Sequence, residues 1–148
     1  MKTIAIAACI FSSFLFSAKS RSDSLDLAQY RGQVVYLDFW ASWCVPCKKS
    51  FPWMNQIREK YKDRGLKIIA VSVDESAQAM KNFLAQHPAK FSVIHDKDKA
   101  LSKGYTLIGM PTSFIYDREG KLTGSYPGYN LKTKAKIEAQ LQALLNKG

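Results

Sequence analysis

Residues 34–52 read V-V-Y-L-D-F-W-A-S-W-C-V-P-C-K-K-S-F-P. Residues 34–40 are β-branched, aromatic and aliphatic apart from Asp38, the composition of a strand buried on both faces. Cys44 and Cys47 follow, two residues apart. From Cys47 the apolar period changes. Phe51, Met54, Ile57 and Tyr61 recur at steps of three and four, among Lys48, Lys49, Arg58, Glu59 and Lys60. That spacing predicts a helix starting at Cys47 with one buried stripe. Cys44 therefore lies where a strand ends and a helix begins.

A helix N-terminus offers unpaired N–H groups and a positive dipole end, both of which favour thiolate over thiol. The dipole supplies roughly 0.3–2 kcal/mol, about one pKa unit, and N–H···S hydrogen bonds from the first turn add to it. Low-pKa cysteines are found in such settings. Cys44 is the predicted attacking sulfur. Cys47, one turn in and more buried, is the predicted resolving sulfur. The alternative, half of a structural zinc site, needs four ligands. Outside residues 1–20 there is no third cysteine, and the only histidines are His87 and His95.

The segment D-F-W-A-S-W-C-V-P-C-K resembles the active site of the thioredoxin superfamily. K-K-S-F-P after it, and G-M-P-T-S-F at 109–114, most resemble the TlpA-like thiol–disulfide reductases of bacterial cell envelopes. The resemblance covers most of the chain after about Leu25. It implies a thioredoxin-like α/β fold: a central mixed sheet, helices on both faces, and a helix/strand region inserted before a cis-proline strand.

Ahead of this, residues 1–20 read as a signal peptide. Lys2 is the charged start, 4–16 a mostly apolar run, and cleavage after Ser20 places Ala18 and Ser20 at the small-residue positions. An uncleaved anchor is the alternative, but thirteen residues fall short of the ~17–25 a spanning helix needs. Cys9 lies within I-A-A-C, which looks like a lipoprotein box. Only eight residues precede it and the apolar run continues past it, so lipidation is not expected. The predicted organisation is leader 1–20 and one domain over 21–148, in keeping with a chain of 148 residues. An exported protein with only Cys44 and Cys47 is not a stapled scaffold, because so short a loop gains little from closure. The pair reads as a redox couple working in the periplasm.

The formal charge is +10, or +8 without Lys2 and Lys19. Nucleic acid is not the expected partner: the lysines are scattered along the chain, and export removes most nucleic acid from reach. A solvated basic surface is the plain reading. Steering toward acidic partners, or peripheral contact with anionic lipid, is the alternative.

Residues 22–33 are polar, with Leu25 and Leu27 as apolar points. The resemblance places this lead-in on the sheet edge, while the residues alone permit a loose linker. Pro52 falls inside the first helix and predicts a kink, and Gly65 is its predicted cap. Residues 66–74 predict a second strand, parallel to the first through a right-handed crossover. Ala77, Met80, Phe83 and Leu84 form a helical stripe, 91–95 a short strand, and 96–105 a short helix after an Asp cap. Asp117–Lys121 reads as a hairpin turn before a returning strand over 122–126. Ile137, Leu141, Leu144 and Leu145 mark a final helix.

Asp38 interrupts an apolar strand, where a carboxylate is costly unless paired or protonated. The resemblance places it beneath the cysteines, near Cys47. Burial there raises its pKa, so it can take and return the Cys47 proton. The resemblance also implies that Trp43 shields the sulfurs, that Pro46 and Met110 lie at the substrate contact, and that a cis Met110–Pro111 bond presents backbone to an extended substrate. Two departures from the TlpA-like pattern stand out: Ser50 occupies a place often held by glutamate, and Asp38 one often held by asparagine.

The expected activity is protein-disulfide reduction in the envelope, with no metal or organic cofactor and a membrane thiol donor to restore the pair. Potentials within the fold span about −270 to −120 mV, and Val45-Pro46 does not fix a value. Two other activities use the same residues. A thiol peroxidase needs a Pro/Thr/Arg cysteine pocket, and no such motif precedes Cys44. A copper(I) chaperone would use Cys44, Cys47 and a histidine.

Overall fold

The computed structural model describes residues 25–147. The predicted leader, and Cys9 with it, lie outside these residues. Five strands form one sheet: β1 (Val34–Trp40), β2 (Leu66–Ser72), β3 (Ser92–His95), β4 (Thr112–Tyr116) and β5 (Leu122–Pro127), in the order β3-β2-β1-β4-β5. β1, β2 and β3 are parallel, while β4 pairs antiparallel with both β1 and β5. The α-helices are α1 (Val45–Tyr61), α2 (Ala77–Gln86) and α3 (Leu131–Leu145). This is the predicted mixed sheet, with α2 and β3 as the inserted region.

β1 is buried along its whole length. Its alternation divides the core in two. Val34, Tyr36 and Trp40 face a cluster with Phe51, Met54 and Ile57 of α1, Phe83 of α2, and Ile137, Leu141 and Leu145 of α3. Val35, Leu37 and Phe39 face a second cluster with Ile69, Val71 and Phe114. Helical segments cover both faces, but unequally. All three α-helices feed the first cluster. The second is closed by Leu25, Leu27 and Tyr30 around a 3-10 turn at Leu27–Tyr30, and by Leu101, Tyr105 and Leu107 around another at Ser102–Gly104. The lead-in thus packs on a sheet face rather than its edge.

Four local expectations shift. α1 begins at Val45, because Pro46 fits a first turn whose N–H groups lack helical partners in any case, and Cys44 becomes the N-cap. β2 ends at Ser72, since Asp74 turns its carboxylate onto Ser42 and Ser72. Residues 96–105 form no α-helix. Asp96 does accept from the N–H groups of Leu101 and Ser102 at 3.0 and 2.8 Å, but Lys99 at φ 58° breaks the right-handed path. Gly65, at φ 81°, caps a 3-10 turn at Lys62–Arg64 rather than α1, which ends at Tyr61.

Candidate active site

The site is built where β1 hands over to α1. Cys44 caps the helix, and its Sγ accepts the Cys47 N–H at 3.2 Å. The two sulfurs form a disulfide with Cα atoms 5.3 Å apart. Both cysteines are buried, Cys47 fully and Cys44 at 3% exposure. Trp43 beside them is 69% exposed, and Val45 59%. Pro46 is half-buried in the first turn. Ser50, one turn beyond Cys47, is buried and donates to the Cys47 carbonyl at 3.0 Å.

The Met110–Pro111 bond is cis. Pro111 is buried directly ahead of β4, and Met110 is half-buried against both clusters. The β1–β4 ladder ends at Phe39 opposite Thr112, so the Met110 backbone lies beyond the last pair.

Asp38 is fully buried on the face of β1 that carries Tyr36 and Trp40, which pack in one cluster with both cysteines. Its strand partner is Ser113. The Ser113 hydroxyl donates to Asp38 Oδ1 at 2.7 Å, and Tyr36 Oη lies 2.7 Å from Ser113 Oγ. Since Ser113 has one proton to give, Tyr36 is the donor to it. Tyr36 Oη is also 3.5 Å from Asp38 Oδ1. Burial pushes the Asp38 carboxyl up to about 7, against the opposing pull of the Ser113 and Tyr36 hydrogen bonds. Burial first, and then the Asp38 charge, holds the Tyr36 phenol well above its usual range. Asp38 Oδ2 is buried without a hydrogen-bond partner.

The sequence reading missed Tyr36 and Ser113. Tyr36 lies two residues from Asp38 on the same strand, hence on the same face. Ser113 lies two residues after Pro111, opposite Asp38. It also missed Asp74. That carboxylate is buried and accepts the Ser42 N–H at 3.0 and 3.1 Å and the Ser42 hydroxyl at 2.7 Å. A further bond comes from Ser72 at 2.8 Å. It fixes the turn before Cys44 to the end of β2. His95 bonds the Asp74 carbonyl at 2.7 Å and His87 packs on Phe83, so each histidine has a structural partner. Among the described residues no three His, Cys, Asp or Glu side chains gather as a metal site.

Such an assembly suits thiol–disulfide exchange: an end-capping sulfur, a sealed second sulfur and a near-neutral acid on one cluster. Known proteins agree. The Redoxin family model matches residues 10–141. The thiol–disulfide oxidoreductase ResA of Bacillus thuringiensis is 40% identical over 120 residues, 81% of this chain and 68% of that one. The Bacillus subtilis ResA is 38% identical over 98 residues, 66% and 55% of the two chains. Among solved structures, a protein assigned as the thiol:disulfide interchange protein DsbE of Chlorobium tepidum superposes with a TM-score of 0.78 at 46% identity, over 80% and 84% of the two chains. The exposed lipoprotein thioredoxin Etrx1 of Streptococcus pneumoniae gives 0.69 at 31%, over 80% and 90%. The chain belongs to the Redoxin family, as a thiol–disulfide oxidoreductase.

Proposed function

We propose that this oxidoreductase works as a reductant of exported proteins, with Cys44 as nucleophile and Cys47 as resolving thiol. The observation that carries this assignment is the Cys47 N–H directed at Cys44 Sγ, on a sulfur that caps α1 next to exposed Trp43. A hydrogen bond to sulfur stabilises the thiolate over the thiol. Cys47 has no exposed surface from which to meet a protein disulfide.

The Cys44 thiolate attacks one substrate sulfur, giving a mixed disulfide and a substrate thiolate. Asp38, whose carboxyl burial pushes up to about 7, takes the Cys47 proton. Cys47 then attacks Cys44 Sγ, closing the Cys44–Cys47 bond and releasing the second substrate thiol. Two electrons have passed to the substrate, and the product state has the disulfide seen in the structure. A membrane thiol donor returns the pair to the dithiol. Met110 and Pro111 offer backbone to an extended substrate strand beyond the end of the ladder, while Trp43 and Pro46 flank the sulfurs. No metal or organic group enters these steps.

Export through a leader over 1–20 places this chemistry in the envelope, the periplasm in a two-membrane cell. The exposed lipoprotein among the matched structures supports an extracytoplasmic site. No helix among the described residues is long and apolar enough to cross a membrane.

Trapping in cells tests the roles. Cys47→Ala accumulates mixed disulfides with envelope proteins, and Cys44→Ala accumulates none. Equal trapping by the two variants overturns the assignment.

A further inference from the structure

Three of the lysines scattered along the sequence meet in space. At the pole where α1 ends and β2 begins, Arg58, Lys62, Lys67 and Lys90 line a cleft of about 280 Å³ together with Phe91 and Ser92. Lys67 Nζ donates to Ser92 Oγ at 2.8 Å and stands 5.3 Å over the Tyr30 ring. The carboxylate paired with these cations is Glu59, 2.6 Å from Arg58 and 3.6 Å from Lys62. Its carboxyl is held below the usual range, chiefly by the Arg58 hydrogen bond, with the charges of Arg58, Lys62 and Lys90 adding. Asp63 nearby is exposed and in none of the described ion pairs. At the same pole Arg118 donates to the carbonyls of Gly32 and Arg64 at 2.7 and 3.1 Å. Those bonds order the guanidinium without neutralising it.

Two geometric facts give this charge a direction. The pole lies a full helix from Cys44: α1 has 17 residues, about 25 Å at ~1.5 Å per residue. β1 also enters the sheet here, since Gly32 N–H donates to the Arg118 carbonyl and Val34 N–H to the Gly65 carbonyl. The apolar run at 4–16 precedes this strand in the sequence.

We propose that this cleft and its rim dock on the anionic headgroups of a phospholipid bilayer, holding the disulfide end turned away from the membrane. The cations match the negative surface in sign. The contact is electrostatic, so salt releases it, and it persists whether or not the leader is removed. It does not rest on the roles assigned to the cysteines.

The full chain is partitioned onto vesicles of phosphatidylcholine, with and without roughly one-third phosphatidylglycerol. The ratio of the two partition coefficients cancels apolar insertion by the first residues. Each cation near the surface contributes about fivefold. Lys62→Gln/Lys67→Gln/Lys90→Gln is expected to lower the ratio about a hundredfold. Lys132→Gln/Lys134→Gln/Lys136→Gln, which removes the same charge from the start of α3, is expected to lower it by less than about fivefold. Equal losses overturn the proposal, because net charge alone would then act. So does displacement by inorganic phosphate at matched ionic strength, which marks a site for a free anion. Should the first triple variant fail to fold, Lys90→Gln alone, exposed at the rim, is expected to lower the ratio about fivefold, and no change overturns the proposal.

Discussion

Asp38 links the energetics of the fold to its chemistry. With the folded carboxyl at about 7 and the unfolded one near 3.9, the folded state keeps a proton that the unfolded state has released across that interval. Stability is therefore fully present below about pH 4 and falls as pH rises through 7. The loss is on the order of 4 kcal/mol, from roughly 1.4 kcal/mol per unit. Asp38→Asn removes the titration. Its stability relative to the parent should grow by a few kcal/mol between pH 4 and pH 8, measured as urea midpoints. Parallel pH profiles would mean that Asp38 titrates normally. The same substitution should flatten the pH dependence of mixed-disulfide resolution near neutrality, read by stopped-flow. Most of this was legible in the sequence, because one acid in a seven-residue apolar strand has few other readings. Its partners were not. The Tyr36–Ser113–Asp38 chain depends on the antiparallel register of β1 with β4, which sequence separation hides.

At the scale of elements, the Cys44 turn is held from both sides. Its own helix supplies the Cys47 N–H, and β2 supplies Asp74 through Ser42. Asp74→Ala leaves the half-buried N–H and hydroxyl of Ser42, and the buried Ser72 hydroxyl, without their acceptor, so a loss of about 2–3 kcal/mol is expected. Thermal unfolding checks it. If the turn is positioned by this carboxylate, the reduction potential of the Cys44–Cys47 pair also shifts, whereas a purely structural anchor would lower the melting temperature alone. On α3, Ile137 is fully buried against the sheet, and Ile137→Ala should lower stability by 2–5 kcal/mol in denaturant titration. The helical stripes of α1, α2 and α3 were readable because each keeps a 3.6 period over several turns. The stretch 96–105 misled, because an Asp cap and two apolar residues satisfy a helical pattern until Lys99 takes a positive φ. The start of α1 was placed late for the opposite reason: the apolar spacing begins only after Cys47, while Val45 and Pro46 form a first turn outside the stripe.

The whole molecule is lopsided. One face of the sheet lies under three α-helices, and the other under short turns and connecting chain. Apolar burial without regular helix gives fewer cooperative backbone hydrogen bonds, so local opening should come first there. Hydrogen exchange should show amides of Leu27–Tyr30 and Ser102–Gly104 exchanging well before those of α1 and α3. Equal protection would argue for a uniformly cooperative domain. The strand–helix–strand order announced an α/β domain, and the Cys44–Cys47 pair announced its chemistry, but charge by position gave no hint of a basic pole. Arg58, Lys67 and Lys90 belong to three different segments and meet only once β2 and β3 pair.

The three tryptophans divide sharply. Trp40 and Trp53 are sealed in the interior, and Trp43 stands in water beside the sulfurs. Iodide should therefore quench the emission of one indole and spare two. Disulfides quench nearby indole light, so opening the bond should brighten that same fluorophore. The protein thus carries its own optical gauge of electron transfer, and no dye needs to be attached to follow it.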